Sequence, residues 1–309
     1  MAAGDVANND EEDLGPVNQP KQLDTISIID FKDIRKGKRI GKGGCAEVYE
    51  GDWKGTRVAL KETHFATVED AERVDSLITE EIALHATIRH PNVLSFYGIT
   101  KDNGGMPSVI MITELMDTDL GKRIYGKRKA ISFATKVFIA KEIVKGIEHL
   151  HNRKVVHGDI KPQNILMSND GKSVKVCDFG LSRVKESVRA TQADHSVPGT
   201  IVYMSPEGLM SDVKSNFATD VWALGATLCE LFTGTDFWPI PKDARRAAHL
   251  GKNIKKQRQS QTMPPGMAAL KKMNNSVYTA VEGSICYVPE LRDNVEQLRL
   301  KLESLSNAQ

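Results

Sequence analysis

Two short polar stretches of this chain carry the residue types that phosphoryl transfer requires. Residues 157–164 read His-Gly-Asp-Ile-Lys-Pro-Gln-Asn, and Asp178 opens an Asp-Phe-Gly triplet shortly afterwards. Transfer of a phosphoryl group to a hydroxyl needs a carboxylate for the hydroxyl proton, oxygen ligands for Mg²⁺ and a cation beside the phosphates. These groups are provided by Asp159, Asn164, Asp178 and Lys161. The spacing therefore predicts a phosphotransferase.

Length and composition fit a large cytoplasmic enzyme. The 309 residues are 40% hydrophobic, and 42 basic against 40 acidic residues leave a net charge of +2. That balance gives no global field that would favour nucleic acid or a membrane surface. The four cysteines lack metal-ligand spacing and are expected to be reduced thiols. The acidic start does not resemble a secretory leader, and the most apolar stretch, residues 221–232, is shorter than a bilayer span.

The hydrophobic pattern divides the chain into an acidic tail and two structured parts. Residues 1–25 are polar and acidic, and we expect them to be disordered. Strand-like runs dominate up to about residue 116, interrupted by residues 70–88, where apolar side chains recur at helical spacing. From residue 133 onward the pattern is mainly helical. The sequence thus predicts a β-rich part with one helix, followed by a larger helical part.

A glycine-rich turn lies between the first two predicted strands. Residues 40–48 read Ile-Gly-Lys-Gly-Gly-Cys-Ala-Glu-Val, and such a turn lets backbone N–H groups approach phosphate oxygens. A similar string opens a helix in dinucleotide-binding folds, and an ordinary hairpin is a further alternative. Here Val48 continues into a strand, which favours a nucleotide lid over a dinucleotide site.

Lys61 ends the short apolar strand after this turn. A lysine in that place often points into solvent. However, a carboxylate on the predicted helix could hold its ammonium over the α- and β-phosphates of a nucleotide. Counting back from His90 favours Glu81 for this role, and Glu80 is the alternative because helix register carries errors of a few residues.

The loop after the long predicted helix contains the candidate base. Asp159 would accept the hydroxyl proton, and Asn164 and Asp178 would be the magnesium ligands. A single aspartate is more often a helix cap or a turn residue. The joint spacing of the three residues makes that explanation a poor fit.

Together these motifs resemble the eukaryotic protein kinase domain, with matches from Ile40 to Arg292. The resemblance implies an α+β bilobal fold over residues 26–309. A small, mainly antiparallel-β lobe with one helix would span about residues 26–115, and a larger, mainly α-helical lobe about residues 116–305. ATP and Mg²⁺ are the implied cofactors.

Several residues resemble those of particular kinase groups. Lys161, two residues after Asp159, and Thr200 resemble their counterparts in serine/threonine kinases. The implied acceptors are therefore Ser and Thr hydroxyls of protein substrates. Trp53-Lys54-Gly55 and the run from His90 to Gly98 resemble the tyrosine-kinase-like group of these enzymes.

Three segments resemble landmarks of the large kinase lobe. Residues 199–207 resemble the end of an activation segment. Asp220 resembles the aspartate that anchors the catalytic-loop backbone, and Arg292 resembles the arginine that pairs with a glutamate, here Glu207.

The resemblance also implies a nucleotide site. Thr113 stands at the gatekeeper position, where a small side chain leaves space behind adenine. The backbone of Glu114 and Met116 would receive adenine, and Asp119 resembles the acid that contacts ribose. Cys177 would either border this pocket or be simply a buried thiol. The other implied nucleotide-binding residues are Ile40, Gly41, Lys42, Gly43, Gly44, Val48, Ala59, Lys61 and Leu166.

Gly158 departs from the family pattern. Many kinases have an arginine there that pairs with a phosphorylated activation loop, and phosphate orders a segment through such pairs. We therefore expect activity to depend less on phosphorylation of this loop. The alternative is that Arg183 or Arg189 supplies the charge instead.

His85 is a second departure. It lies four residues after Glu81, on the same helix face, where the family usually has an apolar residue against the phenylalanine that is here Phe179. One expectation is a neutral, packed histidine without a regulatory role. The other is a weakened stack, a helix that swings easily and an enzyme that needs a partner.

Two functions follow from these motifs. The first is an active serine/threonine kinase, with Asp159 as base, that transfers the γ-phosphoryl group of Mg-ATP to proteins. The alternative is a pseudokinase scaffold that binds nucleotide and signals through partner contacts. Expected partners are ATP, protein substrates and an upstream activator or scaffold protein, with neither nucleic acid nor a membrane.

Overall fold

The computed structural model describes most of the chain from residue 26 onward. The described residues are 26–42, 46–64, 82–101, 108–126, 130–179, 201–210, 215–239, 254, 256 and 259–305. The predicted tail at residues 1–25 and the predicted site residues Gly43, Gly44, Glu80, Glu81 and Thr200 lie outside them.

The small lobe is built on five antiparallel strands. They are β1 (Ile34–Lys42), β2 (Ala46–Trp53), β3 (Thr56–His64), β4 (Phe96–Lys101) and β5 (Ser108–Glu114). Their order in the sheet is β1-β2-β3-β5-β4. The strand-like run of residues 93–99 forms a strand only from Phe96, because Val93 forms a bridge with Val176 instead. Helix α1, described at residues 82–87, lies between β3 and β4 in the chain.

The large lobe is mainly helical. Its helices are α2 (Leu120–Tyr125), α3 (Phe133–Asn152), α4 (Pro206–Met210), α5 (Phe217–Thr233), α6 (Pro265–Met273), α7 (Asn275–Val281) and α8 (Val295–Ser304). Side-chain caps fix the start of the long helices: Ser132 accepts the Thr135 N–H, and Asn216 accepts the Thr219 N–H. The predicted α+β bilobal fold is confirmed.

Helix α5 forms the centre of the large lobe. It is buried without interruption from Asp220 to Phe232, as expected of a helix surrounded by other elements. The apolar stretch at residues 221–232 is therefore a core helix. Within the described ranges, no helix has the length and apolar character needed to cross a membrane.

A small three-stranded sheet positions the two loops that contain Asn164 and Asp178. Its strands are β6 (Thr118–Asp119), β7 (Ile165–Met167) and β8 (Val174–Val176). Asn164 directly precedes β7 and Asp178 follows β8 by two residues, and Ile165 pairs with Val176. The Cys177 N–H also donates to the Asn164 carbonyl oxygen at 3.0 Å. This hairpin therefore brings Asn164 and Asp178 together.

The first described residues cover the β4 edge of the large sheet. The Ile29 N–H donates to Ile99 O at 2.8 Å, and the Ile99 N–H donates to Ser27 O at 2.9 Å. Pairing of this kind shields an otherwise open strand edge. The approach requires glycine at position 98, because a Cβ there would lie 2.3 Å from the Ser27 carbonyl oxygen.

Gly98→Ala is expected to displace this segment and to lower the free energy of unfolding by about 1–3 kcal/mol, the usual cost of overpacking. Denaturant titration of both proteins measures the difference. Gly41→Ala is a matched control, because its Cβ would meet Val48 at an ordinary 3.5 Å. Equal stability of the two variants would contradict the proposed role of Gly98.

Candidate active site

A cavity of about 260 Å³ opens between the large sheet and the β6–β8 sheet. Most predicted nucleotide-binding residues line it: Ile40, Gly41, Val48, Ala59, Lys61, Thr113, Glu114, Met116, Asp119 and Leu166. Strand pairing explains why the lining residues of the large sheet lie close together. Lys61 lies opposite Val48, and Ala59 lies opposite Thr113, on one face of the sheet.

Lys42 is an exception to the predicted set. It is absent from the cavity lining, its side chain is 68% exposed, and its ammonium lies 3.6 Å from Glu47. Lys42 stands at the outward position of β1, where the side chain meets solvent and the neighbouring strand. The nucleotide-binding role predicted for Lys42 therefore stays a prediction.

Lys61 points into the cleft rather than into solvent. Its Nζ lies 2.5 Å from Asp178 Oδ1, and the two side chains are 19% and 30% exposed. Asp178 has a φ of +62°, a left-handed conformation that costs a residue with a Cβ about 1–2 kcal/mol. Such conformations persist where surrounding contacts fix them, and they concentrate at functional sites.

Asp159 is held by two predicted site residues. Lys161 Nζ lies 2.9 Å from both carboxylate oxygens of Asp159. Asn164 Nδ2 donates to the Asp159 carbonyl oxygen at 2.7 Å and to Oδ2 at 3.1 Å. Asn164 lines the cavity, so these bonds connect the Asp159 carboxylate with the cleft.

Asp220 anchors the backbone of this loop, as the resemblance implied. Its carboxylate is 1% exposed and accepts the N–H groups of His157 at 2.7 Å and Gly158 at 2.8 Å. Buried carboxylates need such partners. His151 Nε2 lies 2.9 Å from the same carboxylate, a contact that helical periodicity could not have predicted.

Gly158 adopts a φ of +75° at this anchored position. Glycine enters the left-handed region without the penalty that a Cβ brings. Glycine therefore suits the backbone conformation that Asp220 fixes. Its presence also means that the arginine that many kinases have at this position is missing. The activation segment that such an arginine would contact, residues 180–200, lies outside the described residues, so the reduced dependence on phosphorylation stays a prediction.

His85 is a packed, neutral histidine, as one expectation held. Its ring stacks on Phe179 with centroids 3.9 Å apart and an angle of 25° between the planes. Burial lowers the pKa of His85 to about 4, although a hydrogen bond to the Phe179 backbone acts in the opposite direction. The imidazole thus keeps the ring contact with Phe179, while the expectation of a helix that swings easily and an enzyme that needs a partner stays a prediction.

The side chain of Glu114 is occupied away from the nucleotide site. Its carboxylate accepts the Ser95 N–H at 2.6 Å and lies 2.9 Å from Lys175 Nζ. The Glu114 N–H also donates to Ser95 O at 3.0 Å, so an adenine contact of Glu114 would fall on its carbonyl oxygen, and this role stays a prediction. Asp119 lines the cavity and also caps α2, where it accepts the Lys122 N–H at 2.8 Å.

Cys177 combines the two alternatives that the sequence left open. It lines the cavity, yet it is only 6% exposed. Among the described cysteines, Cys177, Cys229 and Cys286 form no disulfide.

The donor set at the base of the cleft suits Mg²⁺. Asp178 offers a carboxylate, and the amide nitrogen of Asn164 is used toward Asp159, which leaves the amide oxygen for a cation. Mg²⁺ prefers such oxygen ligands and is usually held by one or two protein groups together with water and phosphates. Among the described residues, no three His, Cys, Asp or Glu side chains form a self-sufficient metal site. A metal here would therefore depend on the nucleotide.

Comparison with known proteins agrees with this geometry. The chain is 32% identical over 250 residues to serine/threonine-protein kinase CTR1 of Arabidopsis thaliana, covering 78% of this chain and 29% of that protein. It is also 32% identical over 236 residues to the Arabidopsis thaliana protein named "Probable serine/threonine-protein kinase SIS8", covering 74% and 22%. This chain thus aligns with less than a third of either relative.

The family described as protein kinase domain matches residues 34–301. That span includes both sheets, the cleft between them and all three polar landmarks of the site: the Lys61–Asp178 pair, the Asp159 loop and the Asp220 anchor. By sequence match and by architecture, the chain belongs to the protein kinase domain family.

Proposed function

We propose that this chain is an active serine/threonine protein kinase that transfers the γ-phosphoryl group of ATP to protein hydroxyls. The observation that carries this proposal is the presence of two hydrogen-bonded pairs at one cleft. Lys61 and Asp178 both line the cavity and lie 2.5 Å apart, and Asn164, which also lines it, donates to Asp159 at 2.7 and 3.1 Å. None of the departures at Gly158 or His85 removes a chemical group that the transfer needs.

The geometry supports a division of labour among these residues. Asp159 would orient the acceptor hydroxyl and take its proton, while the Lys161 ammonium beside it offsets negative charge from the phosphate. Lys61 would bind the α- and β-phosphates. Asn164 and Asp178 would hold Mg²⁺, which neutralises charge on the β- and γ-phosphates when it is bound.

The nucleotide would lie in the cavity between the two sheets. Adenine would contact the backbone of Glu114 and Met116, with Thr113 behind it and Asp119 near the ribose. The roles of Glu81 as partner of Lys61, of Gly43 and Gly44 at the phosphates and of Thr200 beside the acceptor belong to the same proposal. So do the domain limits at residues 26–309, the protein substrates and an upstream activator or scaffold protein.

The test is transfer of labelled γ-phosphate from ATP to a mixture of Ser-, Thr- and Tyr-containing peptides, with Mg²⁺ and with EDTA. We expect label on serine and threonine only when the metal is present. Label on tyrosine alone would contradict the acceptor class. Absence of transfer by a protein that still binds nucleotide would instead favour the pseudokinase scaffold.

A further inference from the structure

The imidazole of His85 does more than fill space against Phe179. Its Nε2 lies 2.9 Å from the Phe179 carbonyl oxygen, and the histidine is 7% exposed. A carbonyl oxygen can only accept, so Nε2 carries the proton and donates it. The apolar residue that kinases usually have at this position could stack on the phenylalanine but could not make this bond.

The bond acts next to the strained residue of the site. Asp178, at a φ of +62°, lies between Cys177 and Phe179. On one side, the Cys177 N–H is fixed by the Asn164 carbonyl oxygen at 3.0 Å. On the other side, Phe179 is 1% exposed and is fixed at two points, its ring by the stack and its carbonyl by His85.

These two anchors constrain the direction of the Asp178 carboxylate. A residue in a costly conformation relaxes unless its neighbours hold it. Because the peptide that follows Asp178 belongs to Phe179, a free Phe179 would allow both residues to rotate together. Helix α1, which carries His85, is thereby tied directly to the segment that presents Asp178.

We propose that His85 is a positioning residue that holds Phe179 by its carbonyl, and thereby holds the Asp178 carboxylate where Mg²⁺ is received. This inference rests on the proposed use of a metal–nucleotide complex, but not on turnover. It contrasts with the expectation that a polar ring here loosens the helix, since the hydrogen bond adds a connection that the usual apolar residue lacks.

His85→Leu separates the hydrogen bond from the packing, because leucine is apolar and of similar bulk. It leaves the Phe179 carbonyl without this donor, a loss that favours rearranged loop conformations about five- to tenfold. His85→Gln is the conservative rescue, because its amide N–H reaches about as far as the imidazole Nε2. His149→Leu is the matched control, since His149 is a partly buried histidine on α3 that stacks on His90 instead.

The experiment measures the affinity for ADP at increasing Mg²⁺, and in EDTA, for the wild type and the three variants. We expect His85→Leu to reduce the Mg²⁺-dependent gain in ADP affinity about five- to tenfold, with metal-free affinity and Tm close to the wild type. His85→Gln should recover most of the gain, and His149→Leu should retain all of it.

Three results would overturn the proposal. The first is a Mg²⁺-dependent gain in ADP affinity of His85→Leu that is as large as that of the wild type. The second is a loss of this gain in His85→Gln equal to the loss in His85→Leu, and the third is the absence of this gain in the wild type. A general folding defect of His85→Leu would instead lower its Tm and its metal-free affinity together, and the comparison of His85→Gln with the wild type would then carry the test. Because ADP binding requires no transfer, a protein that binds Mg-ADP but does not phosphorylate refutes the proposed kinase activity and leaves the role of His85 measurable.

Discussion

Asp159→Asn is expected to lower kcat by about 10²–10⁴-fold, the usual contribution of a positioned general base. Asparagine keeps the shape of the side chain, and its oxygen can still accept a hydrogen bond from Lys161, which lies 2.9 Å from the carboxylate. Asparagine lacks a basic oxygen that takes the proton of the substrate hydroxyl. Because Asp159 is not part of the cavity lining, ATP affinity should change little.

Steady-state kinetics on the best Ser/Thr peptide, together with a direct ATP-binding titration, measures both quantities. Asp170→Asn makes the same chemical change at a surface turn, where Asp170 accepts the Ser168 hydroxyl and the Lys172 N–H. It should leave kcat unaltered. A tenfold or smaller effect of Asp159→Asn would show that another group takes the proton.

The core of the site could be predicted from sequence because one local structure fixes it. Asn164 and Asp178 flank the hairpin of β7 and β8, and this hairpin brings them together whatever the rest of the fold does. Lys61 was harder. The sequence predicted it at the end of a strand, whereas it lies within β3, where a side chain can face either side of the sheet. Its direction depends on the register of β3 with β2 and β5, which a single sequence does not specify.

Partners of buried polar groups were the least predictable feature. Glu230 lies within the apolar stretch of α5, is 1% exposed, and accepts the Tyr203 hydroxyl at 2.8 Å and the Phe237 N–H at 2.9 Å. Burial raises the pKa of Glu230 despite these bonds. The sequence shows only a carboxylate among apolar residues, because its partners come from distant elements that tertiary packing brings together. The same holds for the contact of His151 with Asp220.

The landmarks of the large lobe were implied by resemblance, and the structure confirms their pairing. Arg292 forms a two-pronged bond with Glu207, at 2.8 Å and 3.1 Å. The same guanidinium donates to the carbonyl oxygens of Ala218 at 2.6 Å and Cys286 at 3.0 Å, and it lies 5.3 Å from the ring centre of Trp222. One side chain thus joins α4, the start of α5 and the segment before α8.

Arg292→Met is expected to lower the free energy of unfolding by about 3–5 kcal/mol, the typical cost of breaking one side of a buried ion pair. The Arg292 side chain is fully buried, and methionine fills its space but donates no hydrogen bonds. Glu207 and two carbonyl groups would each lose the hydrogen bonds that Arg292 donates. Denaturant titration measures the loss of unfolding free energy. Arg299→Met is the control, because the ion pairs of Arg299 with Glu148 and Glu303 are partly exposed. Such pairs contribute about 1 kcal/mol or less.

The pH dependence distinguishes the ion pair from simple packing. Burial acts to raise the pKa of Glu207, but the hydrogen bonds and charge of Arg292, together with hydrogen bonds from the Glu207 backbone and Ser205, outweigh this and leave that pKa lowered. Ionised Glu207 therefore stabilises the fold above its unfolded-state pKa, and this contribution is lost as the pH falls through the lowered folded-state pKa. The difference between wild type and Arg292→Met should shrink over that acidic range. A difference that stays constant with pH would assign the stabilisation to the packing of Arg292 on Trp222 and to its bonds with the two carbonyl groups, rather than to Glu207.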